Sequence, residues 1–252
     1  MAMALSQRNK HVLRILAIYW PALFVATHIP VPQFVGKVGM SDKTLHIIAY
    51  LVLIFLWWTT ISSGEKVNWK KAKVWATLAL MVWYGAMDEW LQHFVGRNPS
   101  VHDFYADLAG TVGGLVILTV LSFWPAMLTF SAILIFMFTN LTRADLVGTN
   151  IFTNTAFHFA AYAGFTLVWI QCMSRFIAFG SNRSKWLVIA IAGPTALLAI
   201  VKAGSLVLGK SVWLIDCIPA VTAIISAVAV AAIVGVPFRN KTMETAYTAD
   251  HQ

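Results

Sequence analysis

Apolar residues fall in blocks of about 20, separated by short polar breaks. The blocks lie at about 11–28, 44–62, 74–93, 103–123, 126–141, 153–173, 186–204 and 213–236. A helix rises about 1.5 Å per residue, so roughly 20 apolar residues cross the hydrocarbon core of a bilayer. The pattern predicts an all-α fold: a polytopic transmembrane helical bundle of about eight spans. The first block follows Arg8, Lys10 and Arg14, as the core of a secretory signal would. It has no small-residue cleavage site and runs on through IYWPALFVATHIP, so it reads as a retained helix.

Composition agrees. Of 252 residues, 59% are hydrophobic and 11% charged, with a mean hydropathy of +0.74. Soluble domains carry about 25% charged residues. The net charge of +8 does not point to nucleic acid, because the basic residues sit in the breaks between blocks. Arg8, Lys10 and Arg14 precede the first block, and Lys66, Lys70, Lys71 and Lys73 separate the second from the third. Arg175, Arg183 and Lys185 separate the sixth from the seventh, and Arg239 and Lys241 follow the eighth. With alternating spans, these 12 of 18 basic residues share one side, which the positive-inside rule makes cytoplasmic. Both termini are then cytoplasmic. The two cysteines, Cys172 and Cys217, fall near opposite ends of their blocks and have no metal-type spacing.

The acids map to the other side. Asp42, Asp88, Glu89, Asp103, Asp107, Asp145 and Asp216 lie in outer loops or at outer helix ends, seven of the ten in the chain. Topology does not require this, since Asp and Glu contribute little to orientation.

The chain also resembles itself. SDKTLHIIAY (41–50) and TNTAFHFAAY (153–162) align His46 and Tyr50 with His158 and Tyr162 at an offset of 112. FVGRNPSVHD (94–103) and VLGKSVWLID (207–216) align Gly96-Arg97 with Gly209-Lys210 and Asp103 with Asp216 at an offset of 113. Short matches in apolar sequence arise readily by chance, but two at nearly one offset suggest a parallel four-plus-four repeat. The units are residues 1–125, carrying the polar site, and 126–252, degenerate. In the second, Asn154-Thr155 stands opposite Asp42-Lys43, Val201-Lys202 opposite Asp88-Glu89, and Ala220 opposite Asp107.

Within the first unit the polar residues recur at helical spacing. Asp42, His46 and Tyr50 stand at i, i+4 and i+8, and Asp88 and Gln92 at i and i+4. Asp103, Asp107, Gly110 and Gly114 form another stripe, whose glycines admit a close neighbour. Each residue has an ordinary structural reading: His46 as an interior hydrogen-bonded imidazole, Lys43 as a snorkelling lysine, Asp88-Glu89 as a pair for Lys43 or Arg97. Histidines 11, 28, 93 and 102 read as interfacial. Ten polar groups at one depth argue for a site, because ionisable residues inside a membrane face the bundle and find partners.

At these residues the chain resembles the VanZ-like family of bacterial membrane proteins. The shared pattern is Asp42-Lys43, His46, Tyr50, Asp88-Glu89, Gln92, Arg97, Asp103, Asp107 and Gly110, over about residues 10–125. Asp107 stands where the family pattern has Asn. The resemblance implies a multi-pass protein of the bacterial plasma (inner) membrane, in a family named for low-level resistance to the glycopeptide teicoplanin. It implies no settled reaction.

Two functions are open. One is a membrane enzyme modifying an anionic lipid or lipid-linked glycan of the cell envelope. Its catalytic residues would be His46, Asp42, Tyr50, Asp88 and Glu89, with Asp42 or Tyr50 orienting His46. Lys43, Gln92 and Arg97 would bind substrate, and Asp88, Glu89 and Asp103 would hold a divalent cation. The alternative is a non-enzymatic binder of an envelope lipid or glycopeptide, or an accessory subunit of a larger membrane complex. An ion-coupled transporter fits less well, since its charges belong near the midplane. No serine nucleophile elbow, Cys–His pairing or glycine-rich phosphate loop is present.

Overall fold

The computed structural model describes residues 7–28, 42–62, 64–96, 99–140, 151–177, 182–210 and 217–234. Among them there is no strand. Eight helices follow in order: α1 (Gln7–His28), α2 (Asp42–Ser62), α3 (Ala72–Gln92), α4 (Val101–Val120), α5 (Phe123–Asn140), α6 (Ile151–Phe176), α7 (Arg183–Val207) and α8 (Ile218–Val234). Six are long and apolar enough to cross a membrane: α1, α2, α4, α5, α6 and α7. Helix α3 carries Asp88 and Glu89 near its end, and α8 is shorter, at 17 residues. Both cysteines are free.

The helices gather into two compact units. One is built on α1–α4 and the other on α5–α8, with the division at Ala126/Met127 in the first turn of α5.

In the first unit α2 is central, packed on α4 and α1, while α3 packs on α4. Gly110 sets the α2–α4 approach: a Cβ there would stand 2.5 Å from Ile47 O and 3.1 Å from Leu51 N. Lipid supplies no hydrophobic drive between helices, so such close packing and interhelical hydrogen bonds hold them together. Leu53 and Ile54 of α2 and Leu115 of α4 are fully buried.

One end of this unit is tied by bonds among the start of α1, the end of α2, the start of α3 and the end of α4. Lys73 Nζ donates to Ile61 O at 2.7 Å, Val67 N to Leu118 O at 2.9 Å, and Trp69 Nε1 to Thr119 Oγ1 at 2.9 Å. The guanidinium of Arg8 lies over the Phe123 ring at 4.5 Å. Alternating helix directions bring the end of α1, the start of α2, the end of α3 and the start of α4 together at the opposite end. Gly96, in the left-handed conformation (φ 75°), ends the short 3₁₀ turn His93–Val95 after α3.

In the second unit α6 packs on α8 and α7 around Tyr162, Val201, Ala220, Ala223 and Ile224. Some interactions of the first unit have counterparts here at aligned positions. Trp57 Nε1 donates to Thr77 Oγ1 (3.4 Å). Trp169 aligns with Trp57 and Ile189 with Thr77, and Trp169 Nε1 donates to Ile189 O (2.7 Å). Thr27 Oγ1 donates to Asp88 Oδ1 (2.9 Å). Asn140 aligns with Thr27 and Val201 with Asp88, and Asn140 Nδ2 donates to Val201 O (3.1 Å). Gly209, which aligns with Gly96, has the same left-handed backbone (φ 72°) just after α7.

Candidate functional site

The polar end of the first unit gathers side chains from all four of its helices. The first turns of α2 place His46 inward, 4% exposed, and those of α4 place Asp107 against it, 2% exposed. His46 Nδ1 and Asp107 Oδ1 are 2.8 Å apart. From α3, Asp88 accepts from Thr27 Oγ1 of α1 (2.9 Å) and from Gln92 Nε2 (3.3 Å), with His28 Nδ1 3.7 Å away. Glu89 Oε2 accepts from the backbone N–H of Ser100 at 2.8 Å, which ties α3 to the start of α4. Tyr50, one turn inward from His46, is fully buried with its ring 5.8 Å from that of Tyr84 on α3.

Several polar atoms in this cluster have no hydrogen-bond partner among the described residues. They are Glu89 Oε1, Asp107 Oδ2, His28 Nε2 and the hydroxyls of Tyr50 and Tyr84. A buried, uncompensated carboxylate costs several kcal/mol in order of magnitude, so a pair of open carboxylate oxygens calls for a cation or protons. Two groups have metal-ligand spacing, each offering one donor atom per residue within 4.8 Å of the others. These are His46 with Glu89 and Asp107, and Asp42 with His46 and Asp103.

These groupings differ from the expected cation set. Asp88, Glu89 and Asp103 do not form such a group among the described residues. Asp88 instead has its two oxygens engaged by Thr27 and Gln92. His46 also has a partner that the spacing along its own helix does not indicate, Asp107 on the neighbouring helix, while Asp42 offers an oxygen within 4.8 Å of an imidazole nitrogen. Residues one and two turns away on one helix stack along its surface, whereas α4, drawn close by Gly110, delivers a carboxylate onto the ring.

Of the other candidates, Gln92 is buried beside Asp88 and Asp103 is buried. Asp42 is exposed and Lys43 lies beside it at the start of α2, also exposed. Arg97 lies outside the described residues. Sequence reasoning left Thr27, His28 and Ser100 out of the site and gave Asp107 no role. The sequence signal for the first two was Thr27-His28 at the end of the first apolar block, aligned in depth with the acids.

An apolar recess of about 330 Å³ opens beside this cluster. Glu89, His93 and Ser100 are its polar lining residues, and Trp90, Pro99, Val101 and Phe104 are among its apolar walls. Trp90 and Val101 are themselves 56% and 67% exposed, so the recess is bordered by exposed apolar surface.

The second unit keeps an aligned histidine and tyrosine, without counterparts of Asp88 and Asp107. His158 and Tyr162 are buried with their rings stacked at 6.3 Å, but Val201 and Ala220 align with Asp88 and Asp107. No family profile, no curated protein and no solved structure matches the chain.

Proposed function

We propose that this integral membrane protein is a VanZ-like enzyme of the bacterial plasma membrane. In this reading the first unit acts on an anionic lipid or lipid-linked glycan at the outer leaflet. The observation that carries the reading is the position of Glu89. It belongs to the buried group with His46 and Asp107, and it also lines an apolar recess beside the exposed Trp90 and Val101. Acid–base chemistry and an alkyl-chain-sized opening thus meet at one residue.

The proposed orientation places both termini in the cytoplasm. It is supported by Lys66, Lys70, Lys71 and Lys73 at one end of the unit and the carboxylates at the other. His46, aligned by Asp107, serves as acid or base, the role that phosphoryl, glycosyl and acyl transfer share. Lys43, exposed at the start of α2, and Arg97, between α3 and α4 in the sequence, bind the anionic headgroup.

The chain is a duplication of a four-helix unit whose second copy kept its packing and replaced the counterparts of Asp42, Asp88, Glu89 and Asp107. The recurring tryptophan, threonine/asparagine and glycine pairs at offsets of 112 and 113 support this.

The test is native mass spectrometry of protein purified in native-lipid nanodiscs. Val101→Trp fills the recess, and Val116→Trp, on an exposed part of α4, is the control. The reading expects an anionic lipid retained by the wild type and the control and lost from Val101→Trp. Equal lipid retention in all three would overturn it.

A second reading, a non-enzymatic envelope-lipid or glycopeptide binder or an accessory subunit, is favoured by one observation. A larger groove of about 590 Å³ runs along α1, walled by Leu13, Trp20, Phe24, Trp57 and Tyr84, with none of the acids among its lining residues. A lipid held there and unaffected by Val101→Trp would support binding without chemistry.

A further inference from the structure

We propose that His46, Glu89 and Asp107 hold one divalent first-row metal ion, with Asp42 and Asp103 as the carboxylates that orient the histidine. The three inner residues come from α2, α3 and α4, and each offers a donor atom within 4.8 Å of the other two. They are at most 7% exposed. Two further observations point to a ligand. Glu89 Oε1 and Asp107 Oδ2 are buried without a partner among the described residues. So is the hydroxyl of Tyr50, which is 1% exposed and one helical turn from His46.

The spacing fits coordination. At metal–ligand distances of about 2.1 Å, neighbouring ligands of an octahedral ion stand about 3 Å apart. His46 Nδ1 and Asp107 Oδ1, 2.8 Å apart, span such an edge. For Nδ1 to bind metal, the ring proton must sit on Nε2. Ligating histidines commonly donate their second N–H to a carboxylate. Asp42 and Asp103 supply that chemistry, since each offers an oxygen within 4.8 Å of an imidazole nitrogen. Asp42 is also exposed, which gives an ion a way in from the surface.

The donor set selects the ion class. One imidazole and two carboxylates suit Mn²⁺, Fe²⁺ or Zn²⁺ better than Ca²⁺, which takes oxygen ligands alone. Asp88 is not a ligand, because Thr27 and Gln92 occupy its oxygens.

The site stands on its own geometry and does not require the lipid reading, and with metal bound His46 is a ligand rather than an acid or base. Its test therefore omits lipid substrate. Purified full-length protein is titrated with Mn²⁺ and the free-ion signal is followed by electron paramagnetic resonance, with Zn²⁺ as competitor. The wild type should take up one Mn²⁺ per chain, displaced by Zn²⁺. Glu89→Gln and Asp107→Asn should each bind at least about tenfold more weakly. His93→Ala/His102→Ala, which removes two exposed histidines near the same end, should bind like the wild type. No uptake by the wild type would overturn the proposal without any variant. So would uptake unchanged in Glu89→Gln and Asp107→Asn but lost in His93→Ala/His102→Ala.

Discussion

His46 and Asp107 meet at 2.8 Å across two helices that Gly110 allows to approach closely. The pair is buried, so its members are not independent. His46→Ala would leave a buried carboxylate without its partner, which costs about 3–5 kcal/mol. Asp107→Ala would leave an imidazole nitrogen unpaired, at about 1–3 kcal/mol. The double variant His46→Leu/Asp107→Leu removes both needs and should be more stable than His46→Ala, though inactive. Unfolding in detergent, followed by tryptophan fluorescence, measures all three. A double variant as unstable as the sum of the singles would show that the two residues do not act as a pair.

The helix approach itself can be tested with two glycines of α4. Gly110→Leu would drive a side chain into the α2 backbone at Ile47 and Leu51, while a Cβ at Gly113 meets nothing within 4 Å. Overpacking of this kind costs about 1–3 kcal/mol or more. Gly110→Leu should sharply reduce the amount of folded protein in membranes, and Gly113→Leu should not. Equal accumulation of the two would contradict the packing of α2 on α4.

Much of this arrangement was legible in the sequence. The eight helices fall within a few residues of the eight apolar blocks, because a long apolar run in a membrane has few alternatives to a helix. The shared depth of His46, Asp88, Glu89, Gln92 and Asp103 follows from alternating helix direction. The partner of His46 was not legible. Spacing along a helix shows which side chains share a face, not which residue of another helix meets them, so Asp42 and Tyr50 are legible as neighbours of His46 and Asp107 is not. Thr27 was hidden for another reason. Threonine near a helix end commonly bonds its own backbone, and here it also lies 3.0 Å from Phe24 O while it serves Asp88. Ser100 contributes its backbone N–H rather than its side chain, and residue identity does not reveal that.

The proposed duplication predicts paired effects with unequal consequences. Thr27→Ala removes the bond to Asp88, and Asn140→Ala, at the same place in its unit, removes two, to Val201 O and from Ser205 Oγ. Each bond should cost about 0.6 kcal/mol and at most about 1.7 kcal/mol, as such bonds do in membranes. Only Thr27→Ala should alter function, because only it releases a carboxylate. Growth-based and thermal assays run in parallel on the two variants decide this. Loss of function confined to Asn140→Ala would place the site in the second unit.

Orientation is open to a direct check. In a Cys172→Ala/Cys217→Ala background, an impermeant thiol reagent applied to intact cells should label a cysteine at position 102 and spare one at position 70. The reverse pattern would put the acidic end in the cytoplasm.

The central claim is that Glu89, His46 and Asp107 act on an envelope lipid or lipid-linked glycan. The most direct measurement is mass spectrometry of lipids and lipid-linked glycans from cells expressing the wild type, Glu89→Gln or Asn140→Ala, with teicoplanin susceptibility read in the same cultures. The account predicts one altered anionic species in cells with the wild type and Asn140→Ala, absent with Glu89→Gln at equal membrane levels. An unchanged lipid and glycan profile on wild-type expression, or the same alteration with Glu89→Gln, would contradict it.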